Sequence, residues 1–503
     1  MTTNISKLAL AVASASLISS TAMASGFKLN EQSASGVGTA YAGRTAVVED
    51  ASTVYYNPAG MSKLTRPEIS VGGAYINIDA EFSNGERINP AGTSSKYETG
   101  VYDHGGSLIP ASSIPFVYYA HPINEKLALG FGVFVPFGAH TEYSDAALSG
   151  GFAGETKLTT IDFQPAFSYK INDTLAIGGG LDIVYAKGTL SKQLDLIPYA
   201  PTNPQTGALL DNEDYKGYEN TFSVEGDDVA FGWNLGLMWD ITPATTLGVT
   251  YRSEVKFTLE GDAEFKKKDG VKVFNQQLAG TQLAQNGLVF ADLAIDAANG
   301  MAPTEMGANL QQGQYSGKVE DQAAKVPLTG PQNATISLAH RFTDKFQLQG
   351  GITWTDWSSF KYFDVIGKES GDISNLTGLG QNYIGHIVEK WSDSYAYAIG
   401  GTYTLNDQWL FRAGFAYDEA PINKNHRTAR VPDNDRKWIT AGTRYTVNQD
   451  MSFDLGLAYL IMSDFSMSEV NYDLNDEAIL PEKISGDYSM DAFGISAQMN
   501  YRF

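Results

Sequence analysis

The chain closes on DAFGISAQMNYRF (491–503), in which Phe493, Ile495, Ala497, Met499, Tyr501 and Phe503 alternate with small or polar residues. A period of two marks a strand with one apolar and one polar face. The same period runs through FGWNLGLMWDI (231–241), with Phe231, Trp233, Leu235, Leu237 and Trp239 at the apolar positions. Six tight polar turns open straight into further alternating runs: PINEKLALG, KINDTLAIG, DITPATTLG, RFTDKFQLQG, TLNDQWLFRAG and TVNQDMSFDLG. Seven longer polar connections lie between them, near 84–106, 144–155, 195–227, 266–322, 367–382, 423–430 and 473–483. Thirteen joints that alternate short and long predict about fourteen antiparallel strands, an even number, in an all-β transmembrane barrel with both ends on the side of the short turns.

The N-terminus agrees with export. Lys7 precedes the apolar run LALAVASASLI (8–18), and Ala22-Met23-Ala24 offers a small-x-small cleavage site. We therefore expect 1–24 to be a signal peptide and Ser25 the mature start. No later stretch has the roughly 18 uninterrupted apolar residues of a spanning helix, so a barrel is the remaining way to cross a bilayer. Apolar residues must then face lipid, because Lys or Arg at the midplane costs about 2–4 kcal/mol. Tyr501 and Phe503 fall where an interfacial aromatic girdle belongs.

Composition removes several function classes. The 503 residues hold no cysteine, so thiolate metal sites, disulfides and cysteine nucleophiles are excluded, and the six histidines lack metal-ligand spacing. A formal charge of −22 argues against a nucleic-acid partner. No Gly-x-Ser-x-Gly element stands on an expected strand end, which disfavours a phospholipase. We expect no enzyme activity, no cofactor and no metal.

Residues 25–66 break the strand pattern. They are rich in glycine and small residues, and precede the first clear strand, PEISVGGAYINIDAEFS (67–83). A compact segment of this kind could fill the lumen of a barrel wider than its own side chains can fill. SGFKLNEQSASGVGTAYAG (25–43) and YYNPAG (55–60) resemble the hatch of the FadL family of outer-membrane long-chain fatty acid transporters, as do FGWNLGLMWDI, TLGVTYRSEVKF, WLFRAGFAYDEAPI and VPDNDRKWITAGTRY farther along. The resemblance implies a 25–66 hatch inside a fourteen-stranded barrel formed by 67–503, and a terminal aromatic, Phe503, that the barrel-assembly machinery reads.

The third expected strand, LALGFGVFVPFGAHTEY (127–143), contains Pro136 and Gly138. Proline removes a ladder donor and glycine marks a bend; an ordinary bulge would explain them too. The resemblance points instead to a kink that opens the wall, contacted by a hatch Asn-Pro-Ala that matches Asn57, Pro58 and Ala59. Such a gap suits hydrophobic cargo. Hydrocarbon gains about 0.8 kcal/mol per buried methylene, so a sixteen-carbon chain favours an apolar site over water by roughly 12 kcal/mol.

Phe27 is the apolar candidate for ligand contact. Lys192, Arg427 and Arg436 are candidates for a fatty acid's carboxylate, although Arg427 and Arg436 have Asp433 and Asp435 within reach as partners. Two loops carry apolar pieces that could collect ligand: Leu209 and Leu210 in 195–227, and Val289 and Leu293, spaced as on an amphipathic helix, in 266–322. The expected partners are a long-chain fatty acid or another hydrophobic molecule and membrane lipid, for a monomer. Uptake of aromatic hydrocarbons on the same fold is the alternative reading. A general porin fits less well, because an open water channel needs neither plug nor kink.

Overall fold

The computed structural model describes residues 26–88, 94–96, 108–144, 147–193, 220–267, 321–371, 374 and 379–503. Residues 1–24, expected to be a signal peptide, and Leu209, Leu210, Val289 and Leu293 lie outside these residues. The described chain forms a closed antiparallel barrel of fourteen strands. These are β1 (Glu68–Ile88), β2 (Ser112–Pro122), β3 (Leu127–Phe134 and Gly138–Glu142), β4 (Glu155–Lys170), β5 (Leu175–Gln193), β6 (Asn220–Thr242) and β7 (Thr245–Arg252 and Val255–Lys267). They continue as β8 (Gln322–Gly330 and Asn333–Arg341), β9 (Phe346–Thr355 and Tyr362–Gly367), β10 (Tyr383–Val388 and Ser394–Thr404), β11 (Trp409–Asp418), β12 (Arg436–Thr446), β13 (Met451–Met462 and Phe465–Tyr472) and β14 (Ala478–Arg502). Closure joins β1 to β14, from Glu68 opposite Arg502 to Ile88 opposite Lys483.

The short turns gather at one rim with Glu68 and Phe503. A belt of exposed Leu, Ile, Phe, Tyr and Trp circles the outside on alternate positions, including Phe231, Trp233 and Leu235 on β6 and Phe453, Leu455 and Leu457 on β13. An exposed apolar belt of this extent is a lipid-facing surface.

Several strands are interrupted in register. Arg252 and Val255 of β7 pair with Asn333 and Gly330 of β8, so the two breaks, 253–254 and 331–332, face each other. Thr355 of β9 pairs with Ser394 of β10 and Tyr362 with Val388, which aligns the breaks 356–361 and 389–393. The breaks in β7 and β8 reverse strand parity. Below them Val249 and Ile336 face outward; above them Val255, Phe257, Leu259, Val326 and Leu328 face inward, while Lys256 and Glu260 face out. The loop-side half of the barrel therefore has an apolar lumen on these strands.

Residues 26–66 lie within the barrel and are mostly buried against its inner wall. The wall is glycine-lined where backbone meets backbone. A Cβ at Gly248 would come 1.9 Å from the Thr45 carbonyl oxygen, and one at Gly414 would come 2.2 Å from the Thr39 carbonyl carbon. Only glycine tolerates that approach.

Candidate functional site

The ladder of β3 stops at Phe134 and resumes at Gly138, as Pro136 and Gly138 led us to expect. Among the described strands, the loop-side piece forms a ladder with β4 and with none other. β2 pairs with β3 only from Val117 opposite Val133 downward, so Ser112–Phe116 has no strand partner on that side among the described residues. The N-terminal segment occupies the vacated edge. Leu29 donates its backbone N–H to Pro136 O at 3.0 Å, and Gly138 donates to Phe27 O at 2.8 Å. Lys28 sits opposite Phe137. The Gln32 amide donates to Val135 O at 2.7 Å, and Thr160 Oγ1 both accepts from Phe137 N–H and donates to its carbonyl. An unpaired backbone facing hydrocarbon costs several kcal/mol per group, so this strap satisfies the interrupted wall.

Asn57, Pro58 and Ala59 stand elsewhere, and the expected contact with the kink is corrected. The Asn57 amide donates to Leu237 O on β6 at 3.1 Å and to Thr45 O at 2.6 Å. Ser168 of β4 donates to Ala59 O at 2.8 Å. The triplet is fastened to β4 and β6 near the turn rim, where Asn57 caps the 3-10 turn Pro58–Lys63. Short-range reading could not tell which buried edge it would meet.

Phe27 lines an apolar cavity with Leu158, Leu190, Val224, Leu259 and Val326. Its ring packs edge-on against Trp357 at 4.6 Å and Phe360 at 5.4 Å, with Trp391 at 5.8 Å and Phe137 at 6.2 Å. Trp357, Phe360 and Trp391 come from the breaks in β9 and β10, which turn them inward. The cavity measures ≈ 30 Å³, room for about two or three waters, so a long acyl chain requires Phe27 to move. Sequence reading missed these three aromatics; for Trp357 and Phe360 the run TWTDWSSFKYF (353–363), where alternation fails, was the available signal.

The basic candidates separate. Arg436 is buried and bonded to Asp433, whose other oxygen accepts from Gly26 N–H at 2.9 Å. Gly26 has φ +62°, and a Cβ there would strike Trp391 and Trp357. Arg436 is thus a structural ion pair that holds the start of the strap. Arg427 lies over the Phe465 ring at 4.4 Å and donates to Asn434 Oδ1, away from the cavity; neither aspartate claims it. Lys192 shares a strand face with Leu190 of the cavity. Arg430, which sequence reading missed, donates to Ser191 O at 2.9 Å beside it, and Val431 reaches the cavity wall. Burial holds the Arg430 guanidinium below its ordinary value.

Two ion-pair networks fix the rest of the segment. Arg412 and Arg444 of the wall hold Glu49 and Asp50 together with Asp454. On the opposite wall Arg252, paired with Asp182, donates to Tyr55 O at 3.2 Å.

A closed barrel whose lumen is occupied by its own N-terminal segment, with an apolar cavity against that segment and a wall strand interrupted beside it, defines a lumen-filled barrel of the outer membrane. A family model described as outer membrane protein transport protein (OMPP1/FadL/TodX) matches residues 15–503, and the chain belongs to that family. It is 30% identical to the long-chain fatty acid transport protein of Escherichia coli O6:H1 over 458 residues, 90% of each chain. It is 28% identical to outer membrane protein P1 of Haemophilus influenzae, covering 96% of both. Among solved structures, a Pseudomonas aeruginosa FadL homologue superposes with TM-score 0.75 at 24% identity, over 95% of this chain and 100% of that one. The P. putida toluene transporter TodX superposes with TM-score 0.59 at 16% identity, over 94% and 99%. These two likenesses concern the fold.

Proposed function

We propose that this protein passively carries long-chain fatty acids across the outer membrane, taking the acyl tail into the cavity around Phe27 and releasing it sideways between β2 and β3. After removal of residues 1–24, residues 25–66 act as the hatch. The observation that carries the reading is the strap: the residue that fills the cavity and the residues that close the wall gap are consecutive, Phe27 to Leu29. A tail that displaces Phe27 pulls on the two backbone bonds at the gap, so occupancy and opening are coupled. Asn57-Pro58-Ala59 is the anchor against which the strap moves. Lys192, with Arg430 bonded to the neighbouring Ser191 carbonyl, takes the carboxylate, and its strand neighbour Leu190 lines the apolar cavity. The relatives named for fatty acid transport support this ligand class.

The second reading, uptake of aromatic hydrocarbons, draws on a cavity lined almost wholly by apolar groups and on the toluene transporter among the structural neighbours. Competition between oleate and toluene for the purified protein separates the two. Displacement by oleate alone, weakened in Lys192→Ala, supports the fatty acid; displacement by toluene alone moves the protein to the hydrocarbon branch.

A further inference from the structure

The ladder between β8 and β9 is interrupted as well. Its lower part runs down from Asn333 opposite Thr355, and its upper part is Lys325 opposite Ile366 and Ala324 opposite Gly367. At the lower end Asp356 donates its backbone N–H to Gln332 O at 3.0 Å. Residues 326–331 of β8 have no strand partner on this side among the described residues, roughly 20 Å of edge at about 3.3 Å per residue. Across from that edge β9 is broken by the 3-10 turn Trp357–Ser359.

The edge is built to stay unpaired. Thr258 of β7, opposite Pro327, gives its N–H to Asp228 Oδ2 of β6 at 2.7 Å. Successive residues of a strand turn their backbone groups to opposite sides, so Val326 and Leu328 bond to β7 while Pro327 and Thr329 turn toward β9. Pro327 and, two residues past Thr329, Pro331 bring no N–H to this edge. The cavity around Phe27 is lined from both sides of the interval, by Val326 and Leu328 of β8 and by Phe363 of β9. Among the described residues, no backbone hydrogen bond from 26–66 reaches 326–331 or 356–365. The strap that closes the β2–β3 gap therefore leaves this one unfastened.

We propose that the β8–β9 gap is the port by which the ligand's acyl tail enters the Phe27 cavity, so that entry and release use different gaps in the wall. The inference rests on the fatty-acid reading above. Lys256, Glu260 and Lys325 stand on the outer face around the gap, above the exposed Ile336 and Leu338 of β8. The port thus lies beyond the lipid-facing belt, on the side where a ligand arriving from outside meets the barrel. Behind its edge Val326, Leu328 and Phe363 offer the apolar surface that removes a hydrocarbon tail from water. Because no strap bond holds this gap, a tail enters while the β2–β3 gap is still closed. Its displacement of Phe27 then loosens the strap at the other gap, which sets the order of the two events.

The chain has no cysteine, so the gap can be stapled in the full-length protein. The lower register sets Ser359 across from Thr329 and the upper register sets Tyr362 there, with the exposed Lys361 between them. Cells carrying Thr329→Cys with Lys361→Cys are expected to lose most of their oleate uptake when a cleavable bis-maleimide bridges the two thiols, and to regain it on cleavage. A bulky maleimide on Lys361→Cys alone is expected to slow uptake severalfold, and the same reagent on Glu225→Cys, exposed on β6, to leave it unchanged. Oleate loaded before bridging is expected to pass into liposomes at the unbridged rate. Unchanged uptake with the bridge in place or, where the thiols do not bridge, with Lys361→Cys fully labelled overturns the port and leaves the fatty-acid reading standing. Release slowed as much as uptake also overturns the port, since the staple would then act on the cavity. Unmodified wild type that takes up no oleate overturns both.

Discussion

Leu29 donates its backbone N–H to the carbonyl of Pro136, so a residue near the start of the described chain completes a strand more than a hundred positions away. Flanking bonds at Leu29 and Gly138 make Lys28 and Phe137 a non-hydrogen-bonded antiparallel pair, with Cα atoms about 4.5 Å apart, a spacing a disulfide accepts. The protein has no cysteine of its own. Lys28→Cys with Phe137→Cys should crosslink on oxidation, and uptake should fall sharply in the oxidised protein and recover on reduction. Equal uptake in both redox states would remove the strap from the transport path.

Phe27 fills the cavity and keys the strap to Trp357 and Phe360. Truncating a buried phenylalanine costs about 3–5 kcal/mol. In Phe27→Ala that loss should fall on the strap and leave the barrel intact: protease should cut near the N-terminus of the folded protein, while the unboiled barrel keeps its gel mobility. Unchanged protease resistance would contradict the keying role.

Arg436 is completely enclosed with Asp433. Removing one member of a buried pair costs about 3–5 kcal/mol. Arg436→Ala should lower the urea midpoint clearly and leave the ratio of oleate to toluene affinity unaltered. A changed ratio would return Arg436 to the ligand site.

Glu389, between the two pieces of β10 on the loop side, is buried against Trp391 and Thr428. Burial raises its carboxyl to about 8 from an ordinary 4.5. The folded protein then holds a proton the unfolded chain has released, so this group's contribution is full below pH 4.5 and declines as pH rises through 8. Wild type should melt at a higher temperature at pH 5 than at pH 9, and Glu389→Gln should narrow that difference. An equal difference in the variant would assign the pH dependence to other groups.

The alternation around Phe231 and Phe493 and the rhythm of the turns were legible because a strand's faces and a hairpin's turn are set by neighbours in sequence. Pro136 and Gly138 announced the break in β3 for the same reason: one lacks a donor, the other a side chain. Asn57-Pro58-Ala59 could be recognised as a turn and could not be placed, since its partners, Leu237 and Ser168, lie more than a hundred residues away. Arg430 looked like any loop arginine until Ser191 came beside it.

By itself, then, the sequence determined that the chain alternates, turns and closes as a barrel with a non-strand segment ahead of it. The tertiary structure decided which way each face points. Val249 and Leu259 belong to the same strand and the same period, yet one meets the outside and the other the cavity, because the break at 253–254 shifts the parity between them. A period of two has only two phases, and the pattern alone does not say which is inside. Closure of the barrel on residues 26–66 chooses the phase, and with it places an apolar cavity beside the one gap in the β2–β3 ladder.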